Sequence, residues 1–327
     1  MTQAAGLMRS VVDQLPGHLD SLGIVIDTEL DPLHTGLIGP EITDLVTTVG
    51  HLPAKRTAST PQMAALVTLL LHEAGVQSGD TLAVGSSGSF PGLLVATLAA
   101  CQAMDVHARV MISLGASSYG ATRPAFNLLH LYQWLRVQGL ATDAPLAVSL
   151  GGDEDQATEF DPEIRTAITE QVRRSGLPLL DESVLEVNVA KRMALYGRVT
   201  AFVNCGGSWA NLGRSPSVLS LKPGLNRKIP LPEKRDRGVI HQMAARDVPV
   251  IHLLHLAGLA ARHGLVWDPA SLSQVQAVRL RPSHGAVSGK RIALGALMAL
   301  SCILLVTYRF SWFSSFIVNR RSPSCES

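Results

Sequence analysis

The sequence predicts an α/β fold, Rossmann-like and doubly wound on a mostly parallel sheet, with a C-terminal transmembrane helix added. Two observations predict the sheet and a third the addition. Four times an apolar run of strand length breaks into glycine and small polar residues, in LAVGSSGSFPG, VMISLGASSYG, LAVSLGGDEDQ and AFVNCGGSWANLG. Runs rich in Val and Leu suit strands buried on both faces, and the stretches between them are long enough for crossover helices. The third observation is the uncharged apolar stretch over 292–308, about seventeen residues between Arg291 and Arg309, at the lower limit for spanning a bilayer.

The elements follow in order. Leu7, Met8, Val11, Val12 and Leu15 recur at helical spacing, so an N-terminal helix can lay one face on the body. An irregular segment, DTELDPLHTGLIGPE, comes next. Ser59 or Thr60 with Pro61 supplies a cap and a first-turn proline for a helix that ends near Gly75. The chain then alternates: strand 81–85, helix from Pro91, strand 108–114, helix 122–138, strand 145–150. That order is a βαβαβ unit. Asp161 and Pro162 open a helix over 161–175, followed by a short strand 177–180, a helix 183–196 and a strand 200–204. Residues 213–235 read as a loop, 248–252 as the last strand, and a short helix ends near Gly264. The domains divide as an N-terminal helix and lead-in over 1–30, the α/β domain over 31–281, a linker over 282–289, a membrane anchor over 290–319 and a basic tail over 320–327.

The formal charge of +2 is unevenly spread, because the tail from Lys290 holds five basic residues and one acid, leaving 23 bases against 25 acids upstream. A near-neutral body argues against nucleic acid as a partner. The four cysteines show neither a disulfide framework nor a C-x-x-C spacing. The first fifteen residues hold no apolar core of signal-peptide length. Basic residues flank the anchor on both sides, so the side of the membrane that the body faces is left open.

Ligands of open α/β sheets bind at the carboxyl ends of the strands, where the small-residue clusters fall. Gly85, Ser86, Ser87, Gly88 and Ser89 follow a strand and open a helix, so their N–H groups and hydroxyls can cradle an anion. The cluster is not a Walker loop and lacks the full G-x-G-x-x-G spacing; nor is it a nucleophile elbow, because Ser89 stands where the second glycine belongs. Ser117, Asn204, Gly206, Gly207, Ser208 and Trp209 occupy two further strand ends, and Lys55 and Arg56, just before the helix at Pro61, suit contacts with a carboxylate. Asp153, Glu154 and Asp155 follow another strand end, where two of them can bind a divalent cation or act as general acid or base, unless they serve only to start a helix. Cys205 reads either as a thiolate among backbone N–H groups or as a small hydrophobe. His252 and His255 read as a pair for metal or as residues of separate elements. No metal site and no particular cofactor is assigned.

These residues resemble the poly-gamma-glutamate system proteins, encoded beside the bacterial machinery that makes and exports poly-γ-glutamate. The similarity runs through TGLIGPEITDLVTTVGHLPAKRT, LAVGSSGSFPGLLVATLAA, SLGASSYGA, SLGGDED, FVNCGGSWANLG and VPVIHLLHLAGLAARHGL, roughly 30–265. Two departures stand out: the apolar N-terminal segment that members often carry is absent, and Cys205 stands where an aliphatic residue is expected. The resemblance implies association with that machinery at the bacterial inner membrane and names no established reaction. Two functions follow. One is a membrane-anchored accessory protein that binds an anionic ligand, the polymer or a partner at the Gly/Ser-rich strand ends. The other is a hydrolase or transferase acting on γ-glutamyl bonds, with Asp153 or Asp155 as metal ligand or general acid/base. A dinucleotide-dependent dehydrogenase ranks below both, because its glycine fingerprint is incomplete.

Overall fold

A computed structural model describes residues 1–276. The first helix, α1 (Thr2–Ser21), buries Ala4, Met8, Val11, Val12, Leu15 and Leu19. Their three- and four-residue spacing puts them on one face. After an irregular lead-in come β1 (Val46–Thr48), α2 (Leu52–Ala58) and α3 (Pro61–Ala74). Pro61 takes the first helical position, where its missing N–H has no partner to lose, and Gly75 ends the helix in the left-handed conformation. The core alternation is β2 (Thr81–Ser87), α4 (Pro91–Met104) and β3 (His107–Ser113). A short β4 (Ala116–Ser117) pairs in parallel with β1. The hairpin β5 (Thr122–Arg123) and β6 (Phe126–Asn127) then leads into α5 (Leu128–Val137), capped by Asn127 through Leu129 N–H and His130 N–H.

The second half runs β7 (Ala147–Ser149), α6 (Pro162–Arg174), α7 (Leu185–Tyr196), β8 (Ala201–Cys205), α8 (Trp209–Leu212) and β9 (Gly224–Asn226). It closes with α9 (Val239–Ala244), β10 (Val250–His252), α10 (Leu256–His263) and α11 (Leu272–Gln276). The central sheet has the order β7-β3-β2-β8-β10-β9. Its first five strands are parallel and only β9 is antiparallel.

Alternate residues of each strand feed two cores. Leu82 and Val84 of β2 with Val110 and Ile112 of β3 pack on the side of α1, α3, α4 and α5. Ala83, Met111, Phe202 and Val250 face α7 and α9, where Val189, Met193, Val239 and Ile240 meet them. Helices thus cover both faces of the sheet, as near-continuous apolar strands require.

Several expectations change. The strand at 177–180 is a single bridge from Leu179 to Val148; Pro178 has no N–H to extend a ladder. The helix over 122–138 begins only at Leu128, because 122–127 folds into the hairpin. The loop at 213–235 contains β9, which covers the outer edge of β10. Lys55 and Arg56 do precede the helix at Pro61, but they lie in a further helix of their own, α2. Among the described residues no helix is long and apolar enough to cross a membrane. The linker at 282–289, the anchor at 290–319 and the tail at 320–327 lie outside the described residues.

Candidate functional site

Because β2, β3, β7, β8 and β10 are parallel, their carboxyl ends share one edge of the sheet. From β2 the chain moves outward to β3 and β7, then returns to the other side of β2 with β8 and β10. The order reverses between β2 and β8, the position where open α/β sheets form a binding crevice. At this edge lies a cavity of about 410 Å³. Ser89 and Phe90 border it from the end of β2, Ser117 from β4, Gly207 from the end of β8, and His51 and Trp267 from outside the sheet. Leu256 and Ala257, the first residues of α10, also border it, so the positive end of that helix opens onto the space.

Lys55 reaches the same wall from α2. Its ammonium nitrogen donates to the Ser89 carbonyl oxygen and sits 2.6 Å from Ser117 Oγ. The nitrogen also lies over the Phe90 ring, 4.2 Å from its centre, a cation–π arrangement. The side chain is only 2% exposed, and burial lowers its pKa from the ordinary 10.5 to about 7. Ser89 Oγ in turn accepts the Ser117 N–H at 3.0 Å. One lysine from α2, one serine from β4 and one from the turn between β2 and α4 therefore form a single connected group.

A separate buried polar network gathers around Asp155. The Asp155 carboxylate accepts from Arg192 Nη2 at 2.6 Å, from Asn188 Nδ2 at 3.1 Å and from Ser149 Oγ at 2.8 Å. Ser149 reaches Ser113 Oγ at 2.8 Å, and Arg192 Nε donates to Asn188 Oδ1 at 2.8 Å. A buried ion pair is tolerated only when its remaining donors and acceptors are satisfied in this way. On the other side of the reversal, Asn204 Nδ2 donates to the Gly206 carbonyl at 2.7 Å and lies 3.2 Å from His252 Nδ1. Burial, with His255 adding to it, pushes the His252 pKa down to about 4. Gly206 has φ +112, and a Cβ there would stand 2.5 Å from Ser87 Oγ, so only glycine lets β8 turn away so close to β2. Ser87 Oγ is buried there without a protein partner.

The sequence-predicted residues separate accordingly. Lys55, Ser89, Ser117 and Gly207 meet at the cavity, with Ser87 and Gly206 beside it. Gly85 and Ser86 lie inside β2 and are buried, Gly85 against the Asn211 side chain. Gly88 approaches the Leu114 carbonyl, and Ser208 and Asn204 are buried. Trp209 turns its ring to Arg214, 5.3 Å away. Arg56 is committed to the Leu30 and Glu29 carbonyls and to Asp268 at 3.2 Å, which ties the lead-in to the segment near Trp267. Asp153 is exposed, Glu154 pairs with Arg214 at 3.0 Å, and Asp155 is held by Arg192. Cys205 is buried, 3.3 Å from Thr97 Oγ1, and burial raises its thiol pKa to about 12, so the hydrophobe reading fits it. His252 is in β10, while His255 precedes α10 and borders the cavity.

His51, Trp267 and Arg192 escaped sequence reasoning. His51 and Trp267 stack with ring centres 5.8 Å apart, yet no spacing in the chain links them. Arg192 had a faint signal, a charge on the apolar face of an expected helix. Comparison with models of known protein families, with curated proteins and with solved structures gives no match.

Proposed function

We propose that the protein is an accessory component of bacterial poly-γ-glutamate synthesis or export, anchored at the inner membrane by residues 290–319, and that the cavity beside Lys55 takes a glutamyl chain. The motif resemblance supports the process. The observation that carries the site is a buried lysine at the wall of a 410 Å³ space at the strand-order reversal. Phe90, Leu254, Leu256 and Trp267 give the space apolar walls, which suit the methylenes of a glutamyl side chain, while Lys55 and the start of α10 suit its carboxylate. The alternative with Asp153 and Asp155 as acid/base groups has less support, because one is exposed away from the cavity and the other is neutralised by Arg192.

Calorimetric titration of the full chain with short γ-glutamate oligomers tests the ligand. An anion favours the charged lysine, so with a pKa of about 7 affinity is expected to rise as pH falls from 8 to 6. Lys55→Met should weaken binding and remove the pH dependence. Equal affinity in that variant, or no binding by the wild type, rejects the site. Retention of the full chain in the pellet after alkaline carbonate extraction of bacterial membranes is the expected outcome for the anchor, and release into the supernatant rejects it.

A further inference from the structure

Ser117 and Lys55 meet in a way that ligand binding alone does not require. Their polar atoms are 2.6 Å apart, both side chains are buried, and Ser117 borders the cavity. Lys55 is steadied from its other side by the Ser89 carbonyl and the Phe90 ring. A neutral amine has two N–H donors and one lone pair, so one that donates to Ser89 can turn its lone pair to the Ser117 hydroxyl proton. Ser117 is anchored as well, through its N–H to Ser89 Oγ at 3.0 Å. Burial alone brings Lys55 to about 7, so near neutral pH a large share of it is free base. His51, ahead of α2, and His255, ahead of α10, border the same cavity, and Arg56 follows Lys55 in α2. Arg56 is already engaged by Leu30, Glu29 and Asp268.

We propose that Ser117 is a nucleophile with Lys55, in its neutral form, as its general base, and that the cavity performs acyl transfer on an amide whose acyl group carries a carboxylate held at the start of α10. The glutamyl identity of that acyl group rests on the function proposed above, whereas the nucleophile does not. Ser117 Oγ bonds to the amide carbonyl carbon as its proton passes to Lys55 Nζ. The ammonium so formed returns the proton to the leaving nitrogen as the C–N bond breaks, which leaves an ester on Ser117 and a free amine. Water, or a second amine in a transfer reaction, then attacks the ester and gives its proton to the Ser117 oxygen by way of Lys55.

Treatment of the purified full chain with a fluorophosphonate, which modifies activated serines, tests the nucleophile without any choice of substrate. One adduct is expected, on the peptide that carries Ser117, with a rate that rises through about pH 7 to a plateau. Ser117→Ala should abolish it. Lys55→Met should slow it by about 100-fold or more and flatten the pH profile while the protein still unfolds cooperatively. Ser117→Cys offers an independent reading: alkylation of the new thiol by iodoacetamide should follow a pH profile that Lys55→Met displaces. No adduct on Ser117 in folded protein, or a rate and profile unchanged by Lys55→Met, overturns the proposal. Modification of Ser117 in a protein that binds no γ-glutamate oligomer keeps the nucleophile and rejects the glutamyl substrate, so the two readings fail separately.

Discussion

Burying Lys55 costs most while its side chain carries a proton. Below pH 7 the folded and unfolded chains are both protonated there, and the whole penalty is present. Between the folded pKa of about 7 and the ordinary value of 10.5 the unfolded chain holds more protons than the folded one, so stability rises with pH by about 1.4 kcal/mol per unit. Lys55→Met removes this slope. Urea unfolding at pH 7 and pH 9 is expected to show the variant losing about 2–3 kcal/mol relative to wild type across that interval, whatever the offset at pH 7; curves that stay parallel would refute a buried, titrating lysine. The acidic cluster makes a second contrast between single residues. Asp155→Ala leaves the Arg192 guanidinium buried without its counter-charge and should cost about 3–5 kcal/mol, whereas Asp153→Ala, at an exposed position, should stay within about 0.5 kcal/mol. Equal effects in the same unfolding assay would contradict the assignment of the buried partner.

At the scale of elements, the seat of α2 on α4 decides where Lys55 points. Gly92, in the first turn of α4, has no room for a side chain, since a Cβ there would come within 2.6 Å of the Ala58 carbonyl oxygen at the end of α2. Gly92→Ala should force the two helices apart, lower stability by about 1–3 kcal/mol and shift the Lys55-dependent pH slope toward that of an exposed lysine. A melting temperature unchanged from wild type would show that the contact yields without cost. In α1, Leu15→Ala should cost about 2–5 kcal/mol by thermal or urea unfolding, because Leu15 is fully buried against the helical side of the core. The elements legible in the sequence are those whose cause is local. Pro61, Pro91 and Pro162 each stand at a first helical position, and the apolar runs before Ser87, Ser113 and Cys205 are strands. Among the elements that escaped, the strands β1, β4 and β9 are two or three residues long and form only because a partner from elsewhere in the chain completes their hydrogen bonds, while α2 and α9 are helices of seven and six residues, too short to show a period. No periodicity records such an event.

Over the whole molecule, the edge that holds the site was legible and the pairing within it was not. Four small-residue turns after apolar runs place the crevice, because parallel strands put all their carboxyl ends together. Lys55 and Ser117 stand 62 positions apart, one on a short helix and the other on a two-residue strand, and only the folded chain joins them. The same sheet order has a bearing on how the protein is made. Lys55, Ser89 and Ser117 all precede β7, while Gly207, His255 and Trp267 come after it. During synthesis, β2 can pair with β3 at once, but its other flank must wait for β8, which follows only after α7. A ribosome therefore releases the lysine and serines before the residues that complete the cavity wall, and the newborn half-sheet carries an unpaired edge through that delay, the stage at which nascent-chain helpers have most to protect.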